Sequence, residues 1–102
     1  MTEMNETAVR RSNRIFVQVP VEIVLDSTGR TIAYAASTVD LSTLGARVQT
    51  QAALVAGQHV SLIWAGAAPR RLRSQVVWSA PKRADRLREA GLRFLEPFQV
   101  AA

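Results

Sequence analysis

Short runs of alternating apolar and polar residues, separated by turn residues, constrain the fold of this chain more than any other feature. The residues of the first run that share one parity are Val17, Val19, Val21, Ile23 and Leu25. Alternation with a period of two is typical of a β-strand that buries one face. Pro20 interrupts the run. Because proline cannot donate a ladder hydrogen bond, we expect this strand to lie at a sheet edge or to carry a bulge there.

Further runs of the same kind follow, bounded by turn signals such as residues 26–30 (DSTGR) and Gly57. Their expected inward residues, in chain order, are Ile32, Tyr34, Ala36, Ala46, Val48, Val60, Leu62, Trp64, Leu72, Val76, Trp78, Leu92 and Phe94. The spacing of the runs predicts an all-β fold of about six short antiparallel strands, arranged as a small barrel or a sandwich.

One segment is a helical candidate. Residues 81–91 (PKRADRLREAG) offer Pro81 to begin a helix and Gly91 to end it. The apolar positions between them are little more than Leu87 and alanines, so a long hairpin arm is an equal alternative. The sequence therefore predicts at most one short helix.

The chain length of 102 residues suits a single small domain with a thin core. We assign a flexible tail to residues 1–9, the domain to residues 10–98 and a short tail to residues 99–102. The absence of cysteine excludes disulfides and thiolate metal sites. No run approaches the ~18 consecutive apolar residues of a membrane span, and the polar start lacks a signal-peptide pattern. We therefore expect a soluble cytoplasmic protein.

The positive charge of the chain is unevenly distributed. The formal net charge is +5, and twelve of the thirteen basic residues are arginine. Residues 31–69 carry only Asp40 and Arg47, whereas arginines cluster in residues 10–14 and again in residues 70–93. Because arginine presents a planar fork of donors that matches phosphate and guanine, this distribution indicates an anionic partner.

The sequence offers little support for catalysis. Its sole histidine, His59, lies beside a turn with no carboxylate nearby in the sequence, as expected of an exposed residue at a strand end. Serine hydrolysis would need that histidine as its base. The acidic residues are scattered rather than grouped as metal ligands are, and the chain has no glycine-rich phosphate loop. We therefore predict that the protein is not an enzyme and needs neither a metal nor a cofactor.

Residues 38–48 (TVDLSTLGARV) place Asp40, Ser42 and Gly45 between two expected strands. In one interpretation they form only a turn, because Asp and Ser bond nearby backbone N–H groups and Gly adopts a positive φ. In the other, Asp40 presents acceptors to a purine edge that bears N–H donors. Ser42 would then add a hydroxyl, and Gly45 would let a ligand approach the backbone closely.

Residues 10–14 (RRSNR) also allow two interpretations. They are either a plain charge cluster at a disordered terminus or an anion clamp placed just before the first strand. As a clamp, Arg10, Arg11 and Arg14 would match phosphate oxygens, and guanine O6 and N7, with their paired donors.

Together, Arg10-x-x-x-Arg14 and Asp40-Leu41-Ser42-x-x-Gly45 resemble the pattern of the PilZ domain family, R-x-x-x-R followed by [D/N]-hydrophobic-S-x-x-G. The segments RIFVQVPVEI, DLSTLGARV, LVAGQHVSLIW, SQVVW and AGLRF also fall in the order and spacing of that family. The resemblance thus covers nearly the whole chain. It implies a six-stranded antiparallel barrel that binds cyclic di-GMP, a bacterial second messenger.

The resemblance also implies a role for each motif residue. The arginines at the two ends of R-x-x-x-R would contact the phosphates and a guanine of cyclic di-GMP. Arg11, which lies between them, would affect how many ligand molecules stack in the site. Asp40 and Ser42 would line a guanine base, and Gly45 would shape the loop beneath it.

Members of the family commonly carry a helix after the last strand. Here the residues after Phe94, LEPFQVAA, are few and contain Pro97, so we expect that helix to be missing or very short. Either something else caps the barrel, such as a second copy of the chain in a homodimer, or the helix is dispensable.

The leading hypothesis is a non-enzymatic cyclic di-GMP receptor whose N-terminal segment changes conformation on binding and is read by an unidentified protein effector. A first alternative is an adaptor of the same family that acts through protein contacts without ligand, for example in pilus or flagellar motility. A second is a small barrel that binds nucleic acid, as the basic composition suggests. We expect Trp64, Trp78 and Phe94 to face the core rather than form a stacking surface, which disfavours this second alternative.

Overall fold

Every regular element of the described residues is a β-strand. The computed structural model of the protein describes residues 14–27, 29–64, 70–81 and 87–96. Within these ranges the strands are β1 (Ile15–Phe16), β2 (Pro20–Ser27), β3 (Arg30–Leu41), β4 (Gly45–Thr50), β5 (His59–Trp64), β6 (Arg70–Pro81) and β7 (Arg88–Phe94). None of the described residues belongs to a helix that could cross a membrane.

Several sequence predictions lie outside the described residues. They concern the tail at residues 1–9, the side chains of Arg10 and Arg11, the centre of the helical candidate at residues 82–86, and the chain end at residues 97–102.

The strands close into an antiparallel barrel. β3, β2, β5, β6, β7 and β4 are neighbours in that order, and β4 returns to pair with β3. The two-residue β1 adds to this barrel at the end of β3, with Ile15 opposite Leu41 and Phe16 opposite Asp40. The prediction of a six-stranded antiparallel barrel is confirmed, and the sandwich alternative is wrong.

A cluster of buried apolar side chains fills the barrel. Its members are Val21, Ile23, Leu41, Ala46, Val48, Ala52, Leu54, Val60, Leu62, Leu72, Val76, Ala90, Leu92 and Phe94. Tyr34, Ala36 and Trp64 are partly buried and pack against this cluster. Among the inward residues predicted for the strands after the first run, only Ile32 and Trp78 depart from this arrangement, at 37% and 40% exposed.

The first apolar run is divided into β1 and β2 by an interruption at residues 17–19. Thr38 of β3 joins the interruption to the barrel: its hydroxyl donates to the carbonyl of Val17 and accepts from the N–H of Val19, at 2.5 and 2.9 Å. The N–H of Thr38 also donates to the carbonyl of Val19, at 3.0 Å. β2 pairs with both β3 and β5 in unbroken register, so the strand neither lies at an edge nor carries the expected bulge at Pro20. Pro20 is instead the first residue of its strand, where a missing N–H is tolerated.

The described part of residues 81–91 is a hairpin arm. β6 continues to Pro81, which pairs with Arg88 at the start of β7. The helix prediction is therefore wrong for these residues, and the hairpin alternative is confirmed. A segment with so few apolar positions gains little from packing as a helix, whereas strand pairing satisfies its backbone hydrogen bonds.

Two strands change register within the barrel. β3 shifts against β4 between Thr38 and Asp40, and β6 shifts against β7 between Val76 and Trp78. Each bulge adds one residue, which reverses the inward and outward alternation beyond it. Because of the second bulge, Val77 and Trp78 are both exposed, at 54% and 40%. The prediction that Trp78 faces the core is wrong, because the alternation of residues along the sequence does not reveal the one that the bulge adds.

Candidate functional site

A cavity of about 540 Å³ opens in the barrel wall beside both bulges. Its lining comes from β1, β3, β4, β6 and β7 and from the loop that joins β3 to β4. Its polar lining side chains are Arg14, Asp40, Ser42, Arg47 and Arg93, and its exposed apolar ones are Phe16, Leu44, Val77 and Trp78. Apolar surface combined with a few convergent polar groups is typical of a ligand site.

A buried carboxylate between two arginines is the main polar feature of this cavity. The side chain of Asp40 is only 4% exposed. Its Oδ1 accepts a hydrogen bond from Nη1 of Arg14 at 2.5 Å. Its Oδ2 lies 3.1 Å from Nε of Arg47, an ion-pair distance, although that N–H makes no hydrogen bond. The structure thus brings together Arg14 and Asp40, which lie 26 residues apart in the sequence.

The bulge in β3 turns Asp40 towards the cavity. Tyr34, Ala36 and Thr38 share the core side of β3, and unbroken alternation would place Asp40 on that side too. With the added residue between Thr38 and Asp40, Leu41 takes the core side instead. Asp40 then lies on the opposite face, between β1 and β4, where the cavity is.

The hydroxyl of Ser42 organises the loop between β3 and β4. It accepts from the N–H groups of Leu44 and Gly45, at 3.2 and 3.3 Å, and the N–H of Ser42 donates to the carbonyl of Gly45 at 2.9 Å. These bonds are the local ones that serine makes in turns. Ser42 lines the cavity, but its hydroxyl is engaged by its own loop. Its predicted contact with guanine stays a prediction.

Gly45 is required by the close approach of two strands. A Cβ atom at this position would lie 2.2 Å from the carbonyl oxygen of Leu92 in β7. The described glycines with positive φ are Gly29 and Gly57, at 72° and 92°, so the expected left-handed backbone does not account for Gly45. The glycine instead lets β4 pack against β7 beside the cavity.

Several residues of the cavity lining were not predicted from the sequence; those best suited to contact a ligand are Arg47, Arg93 and Trp78. Arg47 could have been found from the short hairpin around Ser42, which places it opposite Asp40. Arg93 is exposed, and its Nη2 donates to Oε1 of Gln75 at 2.6 Å; among the many arginines of the sequence it carries no distinguishing signal.

Trp78 lies against Gly91, where a Cβ atom would come within 2.3 Å of the indole Nε1. The signal available in the sequence was the consecutive apolar residues at 76–78, which break the alternation. An unbroken apolar triplet at a strand end is compatible with a bulge, although it does not specify one.

The cavity is positively charged. Its described lining contains three arginines and one carboxylate, an excess of two positive charges. No group of three or more potential metal ligands occurs among the described residues. Paired donors on arginine beside an exposed indole ring suit a planar, anionic ligand. Arg14, Asp40, Ser42 and Gly45 meet here, while Arg10 and Arg11 are not among the described residues.

Comparison with known proteins identifies a family and a likeness to solved structures. The family model described as the PilZ domain matches residues 8–101. Among solved structures, the chain is similar to the crystal structure of YcgR in complex with c-di-GMP from Escherichia coli, with a TM-score of 0.61 and 19% sequence identity. The match covers 85% of this chain and 38% of that chain, so this chain spans less than half of YcgR. At this identity the likeness shows the fold. No curated protein gives a significant match.

Proposed function

This chain belongs to the PilZ domain family, and from that premise we propose that it is a non-enzymatic receptor for cyclic di-GMP. The observation that carries the proposal is the Arg14–Asp40 pair at the mouth of a cationic cavity. The YcgR structure to which the barrel is similar is itself a complex with c-di-GMP, which supports the same ligand class here.

The charge of the cavity fits the phosphates of this ligand. Cyclic di-GMP carries two negative phosphates, and the described lining has two positive charges in excess. Arg14, just before β1, and Arg93, in β7, are both exposed to solvent and line the cavity. Guanidinium groups bind phosphate oxygens bidentately, in charge-assisted hydrogen bonds that contribute roughly 1.5–3 kcal/mol each.

Asp40 fits a guanine base. A carboxylate accepts hydrogen bonds but donates none, whereas the Watson–Crick edge of guanine offers N1–H and an amino group as adjacent donors. Asp40 is buried apart from its cavity-facing edge and is held from both sides by arginines. Once Arg14 moves from Oδ1 to a phosphate, Asp40 would accept hydrogen bonds from the N1–H and the amino group of guanine.

Trp78 supplies a stacking surface for that base. Its ring is 40% exposed and faces the same cavity as Asp40. We expect Trp78→Ala to weaken cyclic di-GMP binding by about 5- to 100-fold, since stacking on an aromatic ring contributes ~1–3 kcal/mol per base. Calorimetric titration of both proteins measures this difference.

The matched control for Trp78 is Trp64→Phe. Trp64 packs against the core, so this change should leave the affinity within about 2-fold. It also leaves Trp78 as the sole tryptophan, whose fluorescence should then change as ligand is added. If fluorescence stays constant while calorimetry registers binding, the stacking assignment is wrong.

The proposed function as a whole is tested by titrating the protein with cyclic di-GMP in a calorimeter. We expect saturable binding, with far weaker binding of cyclic di-AMP, whose adenine offers an acceptor where guanine offers N1–H. Absence of heat and of thermal stabilisation at tens of micromolar ligand would overturn the proposal. The ligand-independent adaptor would then be the better description.

The signalling step that we propose starts from Arg14. This residue directly precedes β1, which is held by only two register pairs, and Phe16 of β1 is 76% exposed. If a phosphate draws Arg14 away from Asp40, the segment around β1 changes its position. Such a change would alter the surface offered to a protein effector, an order–disorder type of switch.

A second candidate function, binding of single-stranded nucleic acid, is favoured by one observation. The exposure of Trp78 beside arginines weakens the argument against a stacking surface, although Trp64 and Phe94 pack in the core as expected. The described lining of the cavity offers two aromatic rings, Trp78 and Phe16, rather than an extended groove with a series of them, so we rank this candidate below the receptor. Tight binding of single-stranded DNA or RNA at physiological salt, without binding of cyclic di-GMP, would reverse the ranking.

A further inference from the structure

Arg47 holds the carboxylate of Asp40 from the barrel side. The two residues are register partners across β3 and β4, and Nε of Arg47 lies 3.1 Å from Oδ2. Arg14 occupies the other oxygen, Oδ1. Each oxygen of the buried carboxylate therefore has its own cation.

The two arginines are anchored very differently. Arg14 precedes a strand of two residues, and its side chain is 53% exposed. Arg47 lies within β4, which pairs along its length with both β3 and β7, and its side chain is 37% exposed. A ligand phosphate can draw Arg14 away from Asp40 by disrupting only the pairing of the short strand β1. Moving the backbone of Arg47 would instead break the pairing of β4 with β3 and β7 and open the barrel.

From this difference we propose that Arg47 is a positioning residue that fixes the carboxylate of Asp40 and thereby sets the preference of the site for guanine; the inference rests on the proposed function. With Arg14 transferred to phosphate, Arg47 remains as the counter-charge of a carboxylate that is buried in the barrel wall. Its charge stays beside Oδ2, which leaves Oδ1, the oxygen bonded to Arg14, for the base.

Orientation matters because the 2-amino group of guanine is a directional donor. Hydrogen bonds weaken steeply when donor and acceptor are misaligned. A carboxylate that is free to rotate would bind bases with and without this amino group with more similar affinities. A carboxylate held by Arg47 forms a well-aligned hydrogen bond with the amino group. When a base lacks the amino group, one carboxylate oxygen is left unpaired, which lowers the affinity.

The test compares cyclic di-GMP with cyclic di-IMP, whose hypoxanthine bases lack only the 2-amino group. We expect the unmodified protein to bind cyclic di-GMP about 10-fold or more tightly than cyclic di-IMP. In Arg47→Gln, cyclic di-GMP should bind more weakly, and the preference should fall to within about 3-fold. The comparison is a double-mutant cycle between Arg47 and the amino group.

Arg93→Gln is the matched control. Arg93 lines the same cavity but pairs with Gln75 instead of Asp40. Its loss should weaken both ligands by a similar factor and leave the preference unchanged. Thermal unfolding shows whether each variant is folded. If Arg47→Gln does not fold, Arg47→Lys, which keeps the charge but not the planar guanidinium beside Oδ2, should also show a reduced preference.

Failure of this inference is distinguishable from failure of the proposed function. If the unmodified protein binds neither dinucleotide, the proposed function is wrong. If it binds cyclic di-GMP and Arg47→Gln keeps the full preference, or if there is no preference to lose, Arg47 does not position Asp40 for guanine while the receptor proposal stands.

Discussion

Asp40→Ala is expected to lower the affinity for cyclic di-GMP by about 100-fold or more. The substitution removes the acceptors for a guanine edge, and one charge-assisted hydrogen bond corresponds to about 10- to 100-fold in affinity. It also removes the group that holds Arg14 at the cavity mouth. The fold should survive, because the two arginines left without a partner are 53% and 37% exposed and can be hydrated. Calorimetry measures the affinity, and circular dichroism checks the fold.

Two further variants sharpen this experiment. Arg14→Ala should weaken binding by about 10- to 100-fold through loss of a phosphate contact, with a smaller dependence of affinity on salt than in the unmodified protein. His59→Ala, at an exposed strand end and outside the cavity lining, should bind as the unmodified protein does. Binding of cyclic di-GMP by Asp40→Ala within about 3-fold of the unmodified protein would refute the assignment of the site.

Gly45→Ala is expected to destabilise the barrel substantially. The added Cβ atom would lie 2.2 Å from the carbonyl oxygen of Leu92, so two paired strands must separate. Overpacking of this kind costs about 1–3 kcal/mol or more, and each kcal/mol lowers Tm by roughly 4–8 °C in a domain of this size. Thermal denaturation followed by circular dichroism measures the change.

Gly91→Ala is the matched comparison on the neighbouring strand. Its Cβ atom would also lie too close to a neighbour, at 2.3 Å, but that neighbour is the indole of Trp78, which is 40% exposed and can rotate outwards. We therefore expect a smaller loss of stability and a clear loss of ligand affinity, because the stacking surface moves. Equal losses of stability in the two variants would show that the ring is as rigidly held as the backbone.

The barrel could be predicted from the sequence because its signals are local. Alternation along residues 17–25 and the turns at residues 26–30 and Gly57 are properties of a few neighbouring residues, and they translate directly into paired strands. Trp78 shows where such reasoning fails. Its exposure depends on one added residue in β6 relative to β7, which is fixed by the pairing of distant strands.

The sequence predicted that Arg14, Asp40, Ser42 and Gly45 meet in one site, but not the contacts that each of them makes within the fold. Gly45 was expected to adopt a positive φ or to admit a ligand: the first expectation is wrong and the second stays a prediction, while the residue relieves a contact with Leu92 of a distant strand. Ser42 stabilises its own loop. Asp40 belongs to the site only because a bulge turns it away from the core, and no local rule would have shown that.

Thr38 of β3 binds the segment between β1 and β2, the two parts of the first apolar run. Its three hydrogen bonds fix residues 17–19 to the barrel, immediately after the short strand that carries Phe16 and follows Arg14. Residues 17–19 are therefore a fixed point between β1 and β2. If ligand binding displaces Arg14 as we propose, we expect β1 to move and β2, which is paired along both sides, to stay in place. We therefore expect the barrel to keep its structure when the proposed ligand binds, while the segment around β1 changes position.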